Sequence, residues 1–548
     1  MKASNFLITV SAVLGLAACT KLDSTQRDSI VNPAGAGGNI SPAALLTNAY
    51  NNFNGILHGQ DQLFSLEETV TDEALIPTRG GDWDDNGVWR TLHAHTWDVT
   101  HTQAQSVFTG LGKMESDATT VLAFNPSAQQ AAEATFIRSF AQFYFLDLYG
   151  QVPYRTVPRY NTIDAPPVLG PAAAIDTLVQ NLTAIIPVLA AGNAPYKASP
   201  DAARFLLMRV LLNKQAFLNR KTPAAADAGD MATVIALGNA IKANASYALT
   251  PHYFDNFGPN NGGTDPVAGY GPSTEMILAY PNLPGVASNA GIASAGIDAR
   301  WMMTLHYNSY GHKGDNFYGN AGWNGFSTVA DFYNAFDASD SMRRGNVAYP
   351  GVTNVSGMKV GFLNGPQLDE LGAARLDRNL NPLVFSPTVS LIEPDPKTLE
   401  GDGIRVIKYP PDYAHYSSGQ QGNQLQIFRY ADALLMLAEA HLRSDDAAGT
   451  GANTLGLLNL LRAARKAAPL TGPIKLVNSA NLYDPNTLLA ERGKEMYFES
   501  VRRQDLIRMG VFLQPWALKT ADDPKFLLFP IPATQIVANP NLKQNPGY

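Results

Sequence analysis

The chain has 548 residues, and at about 150 residues per domain that length predicts three or four units. Its 45% hydrophobic and 9% aromatic content excludes a disordered chain. With 40 basic and 47 acidic residues the net charge is −7, so the basic excess that a general grip on nucleic acid needs is missing. Charged residues are only 16%, against about 25% in ordinary globular proteins. Polarity falls instead to Asn, Gln, Ser, Thr and Tyr, groups that bind neutral, hydroxyl-rich ligands without strong fields.

At the N-terminus, Lys2 precedes an apolar run over residues 6–16 of the length of a signal-peptide core. Leu16-Ala17-Ala18-Cys19 then supplies the small residues and thiol of a lipobox. Cys19 is the single cysteine, so neither an intrachain disulfide nor a cysteine metal cluster can form. The expectation is a signal peptide over residues 1–18, acylation at Cys19, and a polar, glycine-rich tether over 19–39. A plain secretory signal with an incidental cysteine is the alternative. The run falls short of the ~20 residues of a spanning helix.

Residues 40–249 read as a helical scaffold. Glu67, Glu68, Asp72 and Glu73 form an acidic cluster in which Glu68 and Asp72 share a helix face. Such a pair could serve acid/base hydrolysis of a glycosidic bond, or be the ordinary acids of an early helical turn. Arg79, Asp82, Trp83, Asn86, Trp89 and Arg90 follow closely. Asp82 to Gly87 matches the first half of a calcium loop, but position 12 is His93 rather than Glu, so calcium stands beside a plain Asp- and Gly-rich turn. The run TLHAHTWDVTH crowds His93, His95, Asp98 and His101 without the further spaced ligands of a zinc site, so packed histidines are the other reading. Periodicity predicts a helix over 128–149, with Phe136, Phe140, Phe143 and Tyr144 on one stripe, and a buried helix over 202–218.

Residues 250–424 change character, with Gly, Pro, Asn and Tyr clusters, a short helix expected over 329–336 and a strand over 404–409. Loop-rich lobes of this kind commonly carry binding residues. Here Trp301, Tyr307, Tyr310, Tyr318, Trp323 and Phe326 lie among His306, Asn316, Asn320 and Asn324. A sugar offers apolar C–H faces and polar edges, which suits aromatic platforms flanked by amides and carboxylates. The candidate ligand-binding residues are therefore Arg79, Asp82, Trp83, Trp301, Tyr307, Trp323 and Asn324, with Trp89 and Trp97 assigned to the core.

Residues 425–548 return to helix. Segments 428–442 and 454–468 form a pair joined by a loop with Gly449 and Gly451, the kind of unit that tetratricopeptide-like arrays stack, although no 34-residue repeat is visible. A long charged helix is predicted over 484–509, supported by a Glu499–Arg503 pair and stopped by Gly510. No G-x-S-x-G elbow, P-loop or G-x-G-x-x-G follows a strand, so nothing argues for nucleophilic or phosphoryl-transfer chemistry.

The helix ERGKEMYFES with Arg502, Asp505-Leu506-Ile507-Arg508 and Gly510 resembles a signature of SusD/RagB-like surface lipoproteins. The ending LFPIP with NPNLKQNPGY, the segments ATFIRSFAQFYFLDLYGQVPY and IFRYADALLMLAEA, and the lipobox are similar as well. The resemblance spans nearly the whole mature chain. It implies an all-α fold, a superhelix of tetratricopeptide-like helix pairs supporting an irregular inserted lobe. It also implies a lipid-anchored outer-membrane protein facing the medium. Such a protein captures oligosaccharides for a SusC-like, TonB-dependent barrel, without cleaving them and with no cofactor. Peptide-binding members keep the ligand class open, and a helical glycoside hydrolase or lyase is the reading from another class.

Overall fold

In the computed structural model the described residues are 40–192, 194–263, 271–282, 297–307, 322–393, 400–415 and 421–548. Cys19, Tyr310, Tyr318, Asn316 and Asn320 lie outside them. Helices dominate. In chain order they are α1 (Pro42–Leu57), α2 (Leu63–Glu68), α3 (Val88–His93), α4 (Thr102–Ala123), α5 (Ala128–Tyr149), α6 (Pro171–Ile185), α7 (Pro200–Leu218) and α8 (Ala228–Lys242). Among its described residues the lobe adds the short helices α9 (Ala299–Met302), α10 (Ala330–Asn334), α11 (Ser341–Arg344) and α12 (Thr353–Ser356). The C-terminal region carries α13 (Tyr430–Leu442), α14 (Leu457–Ala464), α15 (Leu488–Met496), α16 (Arg502–Arg508) and α17 (Ala533–Ala538). The chain is all-α in class, with only short strands, and residues Ser41–Tyr548 make one compact unit to which scaffold, lobe and C-terminal region all contribute.

Local signals explain the long helices. Ser127 and Gln130 form a reciprocal capping box at the start of α5, and Gly150 at φ +68 ends it. Nearly every residue from Phe136 to Tyr149 is buried, so α5 is the central rod. It packs on α4 and α6, α6 on α7, α7 on α8, and α8 on α13, so the C-terminal region completes the layer begun by the scaffold. The lobe is built on small antiparallel pairings. Met276–Tyr280 runs beside Leu425–Arg429, and Arg405–Ile407 pairs with Val360–Leu363.

Several expectations are corrected. The helix foreseen over 428–442 begins at Tyr430, because Leu425–Arg429 is a strand paired with Met276–Tyr280. The segment foreseen as a helix over 454–468 opens with a wide turn over Ala452–Gly456 and is α-helical from Leu457 to Ala464. The long helix foreseen over 484–509 is two helices, α15 and α16, broken at Tyr497–Val501. Phe498 (φ 58) and Ser500 (φ 61) adopt the left-handed region there. Carboxylates from the acidic segment hold that break: Phe498 N–H donates to Glu73 at 3.4 Å, Ser500 N–H donates to Glu68, and Arg502 grips Asp72 through two bonds of 2.8 and 2.7 Å. The Glu499–Arg503 pair does not form. Glu499 instead binds Lys408 and Arg429, and Arg503 binds Asp147 at 3.0 Å.

All nine residues of α15 are buried, including Glu491, Arg492, Lys494 and Glu495. Partners make this tolerable. Glu495 accepts from Arg429 at 2.7 Å and Arg465 at 2.8 Å, and both arginines also reach Glu275, at 3.0 and 2.6 Å. Glu491 accepts from Arg343 at 2.7 Å and Arg462 at 2.8 Å. Arg492 joins Asp432 and Asp505, and Arg508 joins Glu439 and Asp505. Burial opposes the charged form of Glu495, but Arg465 and Arg429 outweigh it and hold the carboxyl well below the usual range.

Removing one member of such a lattice strands its partners. Glu495→Gln is expected to destabilise the fold by ~3–5 kcal/mol in denaturant titrations. Lys113→Ala, at an exposed i,i+4 pair with Asp117, should cost about 1 kcal/mol or less.

Candidate binding site

The site begins at a tight turn. Arg79 and Asp82 exchange backbone hydrogen bonds of 2.9 and 3.1 Å across Gly80-Gly81, with Gly80 at φ +64, as a two-residue hairpin loop requires. The chain then turns back through Trp83 at φ 59, which aims its ring at the lobe. Its indole N–H donates to the Trp323 carbonyl at 2.6 Å, and the two rings lie 6.5 Å apart, tilted by 50°. Trp89 and Phe326 close edge-on against Trp83 at 5.5 and 5.8 Å. A methyl group on Gly325 would sit 2.4 Å from the Trp83 ring, so only glycine allows this approach.

Around the indoles stands a polar ring. Tyr307 donates to Asp82, and Arg378 lies over the Tyr307 ring at 4.3 Å while approaching Asp82 at 4.0 Å. Glu400 binds Arg378 and stands 2.9 Å from the His306 imidazole. Burial raises Glu400, but His306 and Arg378 outweigh it and bring the carboxyl down to about 2. Burial and Asp82 push Tyr307 up to about 12, so it is a neutral hydroxyl at physiological pH.

Two segments about 240 residues apart thus meet, placing Asp82, Trp83, Tyr307 and Trp323 together, each half-buried. The other three expected residues hold different positions. Trp301 is 1% exposed, and its N–H donates to Gln421 at 3.3 Å; it packs in the core, and its expected role as a platform is corrected. Arg79 and Asn324 are buried beneath the site and position it. Arg79 donates to the Asn324 carbonyl at 3.0 Å and the Asp402 carbonyl at 2.6 Å, while Asn324, at φ 51, accepts from Arg405 at 2.7 Å.

Arg378 and Glu400 were not foreseen. The signal was a repeat of eight residues, Leu368-Asp369 then Leu376-Asp377. Each Asp accepts backbone N–H bonds from two and four residues ahead, at 2.8–2.9 Å, and Gly372 (φ +82) and Leu380 (φ +64) take matching places. The second of these turns delivers Arg378.

The other motifs serve structure. Of the would-be calcium oxygens, Asp82 engages Tyr307 and Asp84 engages Arg90, while the neighbouring Asp85 accepts from the Trp89 N–H. Among the described residues no group of three or more His, Cys, Asp or Glu is placed to hold a metal. His93 spans the Ala74 and Ala517 carbonyls, His95 spans Val70 and Asp522, and His101 caps α4. His93 and His95 therefore tie the N-terminal segment to the C-terminal tail. Glu67, Glu68, Asp72 and Glu73 are all buried, so the carboxylate pair considered for hydrolysis has no open face for a sugar. Burial pushes Glu68 up to about 7, and Glu67 and Glu73 well above the carboxylate range. A cavity of about 620 Å³ lies elsewhere, between the ends of α5 and α7 and the tail residues around Lys525 and Pro546; it contains none of these aromatics. No described helix is long and apolar enough to cross a membrane.

A model of the SusD family matches residues 237–521. The starch-binding protein SusD of Bacteroides thetaiotaomicron is 24% identical over 546 residues, covering 90% of this chain and 88% of that protein. A SusD superfamily protein from Parabacteroides distasonis shares the fold with a TM-score of 0.65 at 18% identity, covering 92% of this chain and 98% of the other. Surface glycan-binding protein A of B. thetaiotaomicron, solved in complex with laminarihexaose, gives 0.64 at 17% identity, with coverage of 92% and 98%.

Two outcomes test the geometry. Gly325→Ala should expel the Trp83 ring and cost ~1–3 kcal/mol of stability, with a shift in tryptophan emission. For Glu68 the folded-state pKa lies above its ordinary 4.5, so its contribution is full below pH ~4.5 and lost as pH rises to about 7. The midpoint of thermal unfolding of Glu68→Gln should therefore fall less than wild type between pH 5 and 7.5.

Proposed function

The chain belongs to the SusD family, and from that premise we propose that it is a cell-surface lipoprotein that captures oligosaccharides and passes them to a SusC-like, TonB-dependent outer-membrane transporter. The observation that carries this reading is the meeting of Trp83 and Trp323 beside Asp82, Tyr307 and Arg378. Two tilted indoles offer apolar faces to sugar C–H groups, and the phenol, carboxylate and guanidinium supply edges for hydroxyls. No nucleophile or open acid pair stands among them, which supports binding without cleavage. The lipobox at Cys19 supports anchoring in the outer membrane, facing the medium. Relatives named for starch and for laminarihexaose make glucans the first ligands to try.

Strong single-site binding is unnecessary for this task. A millimolar site corresponds to about −4.1 kcal/mol, and several contacts on a tethered protein raise effective capture. The side chain of Trp323 can be removed without its carbonyl, so the anchor of Trp83 survives the substitution. Trp323→Ala should weaken binding of the cognate oligosaccharide by ~1–3 kcal/mol in isothermal titration, with the fold retained. Unchanged affinity would take Trp323 out of the site, and displacement of the glycan by peptides would favour a RagB-like peptide carrier. Release of new reducing ends from a polysaccharide panel would instead make the protein an enzyme.

A further inference from the structure

A second cleft, of about 320 Å³, lies in the scaffold between α4, α5 and the tail that carries α17. Its size is at the lower end of the roughly 300–1,000 Å³ of small-ligand sites. Phe108, Gly112, Glu115 and Ser116 fall at offsets 0, 4, 7 and 8 and so share one face of α4. In the middle of that face Gly112 has no side chain. Glycine inside a helix costs about 1 kcal/mol against alanine, yet an added Cβ would meet only the Phe145 ring, at an ordinary 3.9 Å. Packing does not require this glycine; its effect is to leave the hollow open.

The walls combine the two features a sugar needs. Phe108, Phe145 and the half-buried Tyr160 supply rings. Glu115 is 7% exposed, and its carboxyl accepts from Arg138 at 2.9 Å and Thr119 at 3.4 Å and is also engaged by Gln142. The hydroxyls of Tyr160 and Ser116 and the amide oxygen of Gln535 have no partner among described residues, and all three residues line the cleft. The cation lining the cleft, Arg155, already donates to the Arg159 and Asp164 carbonyls and to Thr162, and Arg138 is already paired with Glu115, so both cations are engaged before an anionic ligand could reach them.

We propose that this cleft is a second saccharide site, taking a single neutral sugar unit through Glu115 and the Tyr160 ring, separate from Trp83 and Trp323. It rests on the protein being a glycan binder. The full-length protein and its Trp323→Ala, Gly112→Leu and Glu115→Gln variants would be titrated with glucose, glucosamine and laminarihexaose by ligand-observed NMR and calorimetry, with thermal midpoints checking the fold. Gly112→Leu, which fills the hollow and leaves every hydrogen bond in place, should lower glucose affinity at least tenfold, and Glu115→Gln should do likewise. Trp323→Ala should leave glucose binding within twofold while weakening the hexaose. Glucose affinity indifferent to Gly112→Leu, with hexaose binding intact in wild type, overturns the second site and spares the first. Glu115-dependent binding of glucosamine without glucose reassigns the cleft to ammonium ligands and overturns the proposal. Absence of saccharide binding by the wild type removes both.

Discussion

The fold depends on a buried lattice of arginines and carboxylates gathered around Glu495. Ion pairs in the interior contribute little net stability against apolar substitutes, but they are intolerant of a missing partner and hence directional. Here direction is what matters. Glu275 immediately precedes the strand Met276–Tyr280, Arg429 ends its partner strand, Arg465 follows α14, and Arg343 lies in α11. One helix from the C-terminal region therefore fastens the lobe to that region by charge, at a depth where water does not compete. A lobe so poor in regular structure has few backbone ladders to define its position, and the lattice does that in their place.

The candidate face around Trp83 and Trp323 inherits this rigidity. Trp83 and Asn324 sit at positive φ, a conformation that costs of order 1–3 kcal/mol per residue and persists only when the surroundings over-determine it. Arg79 and Arg405 reach under the face to Asn324, and Gly325 opens the gap that the indole fills. A ligand that gains little from each contact loses little to ordering either, because the rings and edges are already in place.

Most of the architecture was legible in the sequence because burial and periodicity coincide. The helix over residues 128–149 was readable to the residue, since Ser127, Gly150 and the aromatic stripe agree. The 484–509 segment was not, because its break depends on carboxylates at Glu68 and Glu73, more than 400 residues away, that no local pattern shows. The site was half legible. Aromatic density pointed to Trp83 and Trp323, which the fold brings together half-buried, but Trp301 has the same local composition and is buried, since neighbours in space decide which indole faces outward. Arg378 was missed because its importance comes from a turn repeat rather than from its own chemistry.

The bond between Asp72 and Arg502 joins residues 430 apart in sequence. A polypeptide emerging from its N-terminus must therefore carry Glu68, Asp72 and Glu73 as hydrated acids without their partners until the last tenth of the chain arrives. Closing so wide a span makes late consolidation slow. Those same acids keep the waiting segment wet and disinclined to collapse on itself, so the feature that delays completion also guards the interval before it.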